Sequence, residues 1–389
     1  MNQFSSTPIV PPPAQPVLPA PVPPPLPARL DFTGDRESFL HLVARGAGLE
    51  LVTLGFYRFW LVTDMRRHLW SNTVIDGDAA EYTGRGRELL IGFLIAMAIL
   101  VPIYLAYFLI SIEAEHLQAL ASIPLFSAFY VFGQFAIYRA RRYRLTRTVW
   151  RGVRFWMDGS GWAYAFRATL WAVLAAFTLG IALPWRAAAL ERYKLQHSWY
   201  GDLQGSFEGS GWDLFKRIWW LWLAAPLAIL IVTIPFFYAY YRAVEWRWWL
   251  SGIRFGAVGV DSKLESNALQ GFYWKVIGWS MLLSIGFGAA IGALGTAAVG
   301  ITKAVSGTFD AESFATSIPV MVVTVIGYLG LALSFSVVTR LYLSRDLWAH
   351  VLSTTVVTDL AAAANVKAKG DLATAVGEGI ADGLDVAGF

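Results

Sequence analysis

The chain has 389 residues, of which 56% are hydrophobic and only 15% are charged, and its mean hydropathy is +0.50. A soluble domain carries charge on about a quarter of its residues, and several apolar runs here exceed the ~18 residues that cross a bilayer. The composition excludes an ordinary soluble protein and predicts a multi-pass membrane protein. Cysteine is absent, which excludes disulfides and thiolate metal sites. The net charge of +4 comes mainly from Lys and Arg beside apolar segments, so we expect membrane lipids, and no nucleic acid, as partners.

Two tails flank the predicted membrane domain. Residues 1–29 contain eleven of the seventeen prolines and a single charge, which predicts a disordered, Pro-rich tail that is a spacer or a ligand for a partner domain. Residues 352–389 are rich in Ala, Gly and Asp and have no periodic apolar face, which predicts a loosely ordered tail. The predicted membrane domain between them covers residues 30–351.

Seven apolar segments are interpreted as transmembrane helices. The clearest is 89–110, which has no charge over 22 residues and is long enough to cross ~30 Å of hydrocarbon. The first segment contains Arg45 and Glu50, so it either crosses with buried charge or lies in the interface or re-enters. The seven segments are 39–62, 89–110, 120–138, 164–185, 214–240, 272–300 and 314–339.

The distribution of arginine predicts the orientation of these segments. The loop 139–163 contains seven arginines, whereas 111–119 has no Lys or Arg and two glutamates. Positive loops stay on the cytoplasmic side, so we expect the loop 139–163 and the C-terminus to be cytoplasmic. Seven crossings would then make 186–213 external, although that loop contains Arg186, Arg192 and Lys194. The seven arginines of the basic loop are candidates for anchoring lipid headgroups: Arg139, Arg141, Arg142, Arg144, Arg147, Arg151 and Arg154.

Several stretches recur along the chain. TLGFYRFW (Thr53–Trp60) matches TLGIALPW (Thr178–Trp185) at an offset of 125, and the same offset pairs YTG (82–84) with FEG (207–209). This recurrence predicts a membrane domain built from internal repeats. If every segment crosses once, these two copies are inverted relative to each other; if 39–62 and 164–185 re-enter, both copies lie on one face. The aromatic-Gly triplets predict short strands or turns at the membrane surface.

The overall prediction is an all-α integral membrane protein with about seven transmembrane helices. Arg45 and Glu50 form a candidate intramembrane polar site, although five residues apart they do not share a helix face, so each would need another partner. The five histidines are scattered, and the one pair at helical spacing, Glu37 and His41, is more typical of a surface contact than of a metal site. No catalytic, phosphate-binding or dinucleotide motif is present, so we expect neither an enzyme nor a cofactor.

The residues from Phe32 to Phe93 resemble a known family. TLGFYRFW, RRHLWSNT, the Asp-Gly pair at 76–77 and YTGRGRELLIGF (82–93) are similar to the YjgN-like family of bacterial multi-pass inner-membrane proteins, which is grouped as a domain of unknown function. The resemblance implies an inner-membrane protein of unestablished activity and provides no catalytic or binding residues. The second copy departs from the pattern, with Ala-Leu-Pro at 182–184 where the first has Tyr-Arg-Phe at 57–59.

Two functional classes are consistent with these features. The first is a transporter or permeation pathway for a small solute or lipid, which repeats, interrupted spans and buried charge favour. The alternative is a structural or partner-binding membrane protein that uses its basic cytoplasmic loops. A polar cavity that reaches the membrane midplane around Glu50 would favour transport. The sequence leaves the oligomeric state and any protein partner open.

Overall fold

The computed structural model describes residues 27–113, 118–306, 310 and 317–374. Most of the predicted Pro-rich tail, and the end of the predicted C-terminal tail, lie outside the described residues. Within the described part, very short strands alternate with pairs of helices, so that a pair of helices lies between one β-hairpin and the next.

Ten antiparallel strands form a closed barrel in which sequence neighbours pair and β1 also pairs with β10. Four tight β-hairpins join β2 to β3, β4 to β5, β6 to β7 and β8 to β9. The fifth pair consists of the first and last of the ten strands, β1 and β10. The turns suit this arrangement, because Asp76–Gly77 and Arg151–Gly152 all have positive φ, the geometry of the hairpin turns that match strand twist. The strands are Ala28–Phe32 (β1), Thr73–Ile75 (β2), Asp78–Tyr82 (β3), Thr148–Trp150 (β4), Val153–Met157 (β5), Ser198–Tyr200 (β6), Leu203–Phe207 (β7), Ile253–Phe255 (β8), Val258–Ser262 (β9) and Thr355–Thr358 (β10).

The helices form five helical hairpins that leave the barrel and return to it, and the second helix of each returns to a three- or four-residue strand. The fourth hairpin is interrupted at its tip by two short 3₁₀ turns, 225–229 and 231–233, and the fifth passes through a π-helix, 340–346. The helices are Arg36–Val52 (α1), Arg58–Ser71 (α2), Gly86–Glu113 (α3), Gln118–Thr146 (α4), Gly161–Phe177 (α5), Leu183–Gln196 (α6), Gly211–Ile218 (α7), Trp220–Ala224 (α8), Ile234–Ser251 (α9), Gln270–Ser306 (α10), Ile318–Thr339 (α11) and Leu347–Ser353 (α12).

The prediction of an all-α protein with seven transmembrane helices is therefore wrong. The aromatic-Gly stretches belong to a closed barrel, and three of the seven apolar segments, 39–62, 164–185 and 214–240, are each broken into separate helices by a turn. Composition concealed both features, since strands of three to five residues are too short for a clear alternation, and the turns that break these three segments are apolar.

Two of these tips have the same geometry. At the first, Leu54 and Gly55 have φ of 51° and 89°, and at the second Leu179 and Gly180 have φ of 50° and 86°. The hydroxyl of the threonine before each leucine accepts a backbone N–H, from Tyr57 at 3.0 Å in the first tip and from Ala182 at 3.1 Å in the second. Every element from β1 to β2 is matched, at an offset of 125 residues, by an element from β5 to β6. Both copies thus turn back to the same barrel, so the argument for inverted copies, which required a single crossing each, does not hold.

Three helices in the described part of the chain are long and apolar enough to cross a membrane: Gly86–Leu109, Gln270–Val305 and Ile318–Ser353. In the second and third, none of the residues in the most apolar window is buried, and in the first 22% are. Such helices leave many apolar side chains accessible, as expected of spans that face lipid. The predicted segments 89–110, 272–300 and 314–339 lie largely within them.

Aromatic and aliphatic side chains fill the barrel. Leu30, Trp150, Tyr200, Val258 and Val357 are buried in one cluster. The chain leaves β10 through a left-handed residue, Asp359, and a 3₁₀ turn, Leu360–Ala363, that packs on this cluster. It then runs past the β6–β7 turn, where the Lys367 backbone N–H donates to Asp202 at 3.0 Å. Residues 355–367 of the predicted loose tail are thus part of the barrel and its packing.

Candidate functional site

A polar cavity of about 310 Å³ lies between the second helices of the middle three hairpins, α4, α6 and α9. Such a volume is at the lower end of the range for small-molecule sites. Each helix contributes side chains from its last turns before a strand, so the cavity lies next to the barrel. Its charged and aromatic lining residues are Arg141, Arg144, Glu191, Lys194, Arg242, Glu245, Trp246, Trp248 and Trp249.

Glu191 is the centre of this cluster. It forms an ion pair with Lys194 one turn further along α6, and its Oε2 lies 3.6 Å from Arg141 Nη1 of α4. The indole Nε1 of Trp249 donates to the same carboxylate at 3.0 Å, which connects α9 to α6. The side chains of Glu191 and Lys194 are only 16% and 12% exposed, so the ion pair is largely removed from water.

A second carboxylate, Glu245, is held within α9. It pairs with Arg242 one turn before it and accepts the hydroxyl of Tyr241 at 3.0 Å. The cavity is therefore lined by four cations and two carboxylates. The carboxyl ends of the three helices also carry partial negative charge. The cations in the last turns of these helices compensate part of it.

The pKa values reflect this crowding of positive charge. Burial lowers the pKa of Lys194, Glu191 opposes that shift, and the guanidiniums of Arg141 and Arg144 add to it. For Glu191, burial raises the pKa, but Lys194 and Arg141 outweigh it and the pKa lies below its ordinary value. The Nε of Arg141 is buried and has no hydrogen-bond partner among the described residues. An unsatisfied buried donor of this kind is able to bind a ligand or a water molecule.

The seven arginines predicted to contact lipid headgroups lie in α4 and in the β4–β5 hairpin that follows it. Arg141 and Arg144 line the cavity. Arg147 is buried and donates to Glu88 of α3 at 2.7 Å, and Arg151 pairs with Asp76 and Asp78 of the neighbouring hairpin. The other three are half-buried: Arg154 donates to the carbonyl of Thr146, Arg139 donates to the hydroxyl of Thr374 at 3.0 Å, and Arg142 lies beside Arg141 on α4.

Arg45 and Glu50 are not brought together. Glu50 is buried near the first tip and receives two hydrogen bonds from Arg340, at 3.2 and 3.4 Å, where α11 ends. Arg45 is exposed in a cleft between α1 and α2. No sequence signal identified Arg340, since it lies 290 residues from Glu50.

The central cavity was also missed by sequence reasoning. Its two acid–base pairs, Glu191 with Lys194 and Arg242 with Glu245, stand at the i,i+3 spacing that places side chains on one helix face. That spacing was available in the sequence. What the sequence did not show was that three such faces meet.

The histidines form no metal site in the described ranges, where no group of three or more His, Cys, Asp and Glu side chains could hold an ion. His41 Nε2 lies 3.7 Å from Glu37 Oε1, and both side chains are largely exposed. His197 Nδ1 contacts Asp158 at 2.7 Å and ties the end of α6 to the end of β5. His116 lies outside the described residues.

Comparisons with known proteins identify a family. No curated protein and no solved structure matches the chain. A family model described as "bacterial protein of unknown function" matches residues 27–245, from β1 into α9, which is more than half of the chain. This match confirms the resemblance seen in residues 32–93, and the chain belongs to this family of bacterial proteins, DUF898.

Proposed function

We propose that this protein is a membrane-seated binding protein that holds a phosphate-bearing ligand in the cavity between α4, α6 and α9. The observation that carries the proposal is the charge of the cavity, four cations against two carboxylates, together with the unsatisfied buried Nε of Arg141. Arginine binds phosphate through paired N–H groups. The indoles of Trp246, Trp248 and Trp249 provide an apolar wall for the organic part of such a ligand.

The proposed setting is the cytoplasmic face of a bacterial inner membrane, with the barrel against the bilayer. All five hairpins leave from one barrel, so the basic stretches 139–154, 186–194 and 242–254 share its side of the membrane. Because positive residues stay inside, this arrangement supports the proposal that the barrel and the C-terminus are cytoplasmic. It also removes the conflict that seven crossings created for Arg186, Arg192 and Lys194. The five hairpins are inferred to be internal repeats of one ancestral unit.

The surroundings of the long helices support a binding role over permeation. A permeation pathway needs spans that pack together around a polar route. The apolar windows of α10 and α11 contain no buried residue, and the cleft that α1 forms with these two helices is lined almost entirely by apolar side chains. We accordingly propose that the protein is not primarily a transporter. The proposal that it is not an enzyme rests on the sequence motifs alone.

The test uses the full chain in a non-ionic detergent with glycerol 3-phosphate as the probe. The probe should raise the midpoint of thermal unfolding, and Arg141→Gln should weaken its apparent affinity by roughly ten-fold or more, as expected for the loss of a charge-assisted hydrogen bond. Lys216→Gln, which removes an exposed cation of α7 outside the cavity, is the matched control for net charge. An unchanged midpoint, or an equal loss of affinity in both variants, refutes the proposal.

Permeation is the second candidate, and the buried pair Glu50–Arg340 favours it. This pair lies between an apolar hairpin tip and α11, and charge at such depth commonly belongs to a transport route. The test is uptake of glycerol 3-phosphate into proteoliposomes. Uptake that requires Glu50 would support transport. If the wild-type protein binds the probe but does not take it up, transport is refuted and the binding role remains.

A further inference from the structure

The first helical hairpin, α1 and α2, differs from the third, α5 and α6, on one exposed face. Where α5 exposes Phe166 and Leu170, 64% and 71% accessible, α1 exposes His41 and Arg45 at the same two positions. The two hairpins have the same helix lengths, the same tip turn and the same connection to the barrel, so these positions lie at equal heights. A face that is apolar in one hairpin is therefore polar in the other.

The polar face opens into a cleft of about 620 Å³ between α1 and α2. The two helices are in close contact at the cleft wall, because a Cβ on Gly46 would lie 2.3 Å from a methyl carbon of Leu61. Arg67 is oriented by the Gly84 carbonyl, to which it donates at 2.7 Å. The Nε2 of His68 is buried and has no hydrogen-bond partner in the described part of the chain. Among the described residues, Asp64 is the one carboxylate that lines this cleft, and its Oδ1 lies 3.4 Å from Nη1 of Arg67.

If the tip of the first hairpin reaches the middle of the bilayer, the cleft lies at the height of the phosphate layer. Leu54 at the tip is 84% exposed, beside the exposed Val52 and Phe56, and an apolar tip of this kind is stable only in hydrocarbon or a protein contact. Arg45 precedes Leu54 by nine residues along the helix, which corresponds to roughly 13 Å at 1.5 Å per residue. Half of the hydrocarbon core is about 15 Å thick. A tip that enters the core thus brings Arg45 close to the phosphates, at the height where the third hairpin is apolar.

We propose that the cleft between α1 and α2 binds the phosphate of an anionic membrane phospholipid, with Arg45 and Arg67 as the cationic contacts and His41 and His68 beside them. The inference rests on the proposed seating of the barrel against the membrane and is independent of the central cavity. Lipid phosphate would satisfy charge that is costly at the edge of hydrocarbon, and the acyl chains would follow the exposed apolar residues toward the tip. The first hairpin would then recognise a headgroup, whereas the third would only insert.

The test titrates the full chain, in a non-ionic detergent, with dihexanoylphosphatidylglycerol and counts bound lipid by native mass spectrometry. The key variant is Arg45→Leu, which installs the residue that the third hairpin has at position 170 and removes an exposed side chain at the edge of the cleft. The matched control is Arg192→Leu, an exposed arginine at the third-hairpin position equivalent to Arg67. We expect the dissociation constant to rise roughly ten-fold or more in Arg45→Leu and to be unchanged in the control.

Two further probes separate the sources of phosphate. Dihexanoylglycerol lacks phosphate, so Arg45→Leu should not change its binding. If Arg45→Leu weakened the binding of dihexanoylglycerol as much as that of the phospholipid, phosphate recognition would be refuted. Glycerol 3-phosphate should bind independently of Arg45, and a loss of its affinity in Arg45→Leu would identify a site for soluble phosphates in place of lipid. Equal binding of the phospholipid by the wild-type chain and Arg45→Leu refutes the proposal. If Arg141→Gln left the affinity for glycerol 3-phosphate unchanged while Arg45→Leu weakened phospholipid binding, the proposed function would be refuted. The proposal for the cleft would stand.

Discussion

Replacing Glu191 by Gln tests whether the charges of the central cavity depend on one carboxylate. The Gln side chain still accepts the indole N–H of Trp249, but Lys194 and Arg141 lose their counter-charge. Removing one partner of a buried ion pair costs about 3–5 kcal/mol. An upper limit comes from Lys194 itself, since holding a lysine neutral at pH 7 costs about 5 kcal/mol at most. Because both side chains retain some exposure, we expect a loss of about 3 kcal/mol.

The assay is the free energy of unfolding from a reversible denaturant titration in mixed micelles. The control is the double variant Glu191→Gln with Lys194→Met, which removes both charges of the pair and should recover most of the lost stability. Glycerol 3-phosphate should stabilise Glu191→Gln more than the wild type, because the cavity then has a larger excess of positive charge. A loss below about 1 kcal/mol, or a double variant as unstable as the single one, would show that the pair is not desolvated as described.

Three further outcomes are expected. Gly46→Ala should destabilise by about 1–3 kcal/mol, because its Cβ would meet a buried leucine of α2, whereas Gly48→Ala, with open space around it, should be neutral or stabilising in the same unfolding titration. Single cysteines at Leu54 and Leu179 should both resist a membrane-impermeant maleimide in proteoliposomes and react in detergent, and labelling of either in the bilayer would contradict insertion of the tips. Burial, with a contribution from Arg345, lowers the pKa of His68, so the folded state takes up this proton less readily than the unfolded chain. The unfolding free energy should fall as the pH decreases below about 6.5, and His68→Phe should flatten that dependence.

The sequence was most informative where structure is local. The apolar run 89–110 is a helix that can cross a membrane, and the Thr-Leu-Gly repeat at 53 and 178 does mark two segments of the same conformation. The error was to interpret this repeat as a feature of crossing helices. In both copies a leucine adopts a left-handed conformation, which costs a non-glycine residue about 1–2 kcal/mol and is rare enough that a helix was the natural prediction.

The barrel and the cavity could not be predicted because they depend on distant pairings. Ala28 pairs with Val357, and the intervening strands contribute only three to five residues each, too few for a period to be recognised. The cavity joins Arg141, Glu191 and Glu245, which lie about fifty residues apart on successive hairpins. Their convergence follows from the closure of the barrel, which fixes the angles between the helices above it.

Closure by the first and last strands also sets the order of events during synthesis. β1 emerges from the ribosome early but has only β2 as a partner until β10, more than three hundred residues later, is made. Chains grow at about 5–20 residues per second, so the edge of β1 stays open for roughly fifteen seconds or longer. During that time the three helices that are long and apolar enough to cross a membrane, α3, α10 and α11, are already made. In the proposed setting, insertion would therefore precede closure, and the membrane would hold the growing ring of hairpins in register. A chain stopped before residue 355 would present two open strand edges at the membrane surface, where quality-control proteases could recognise it.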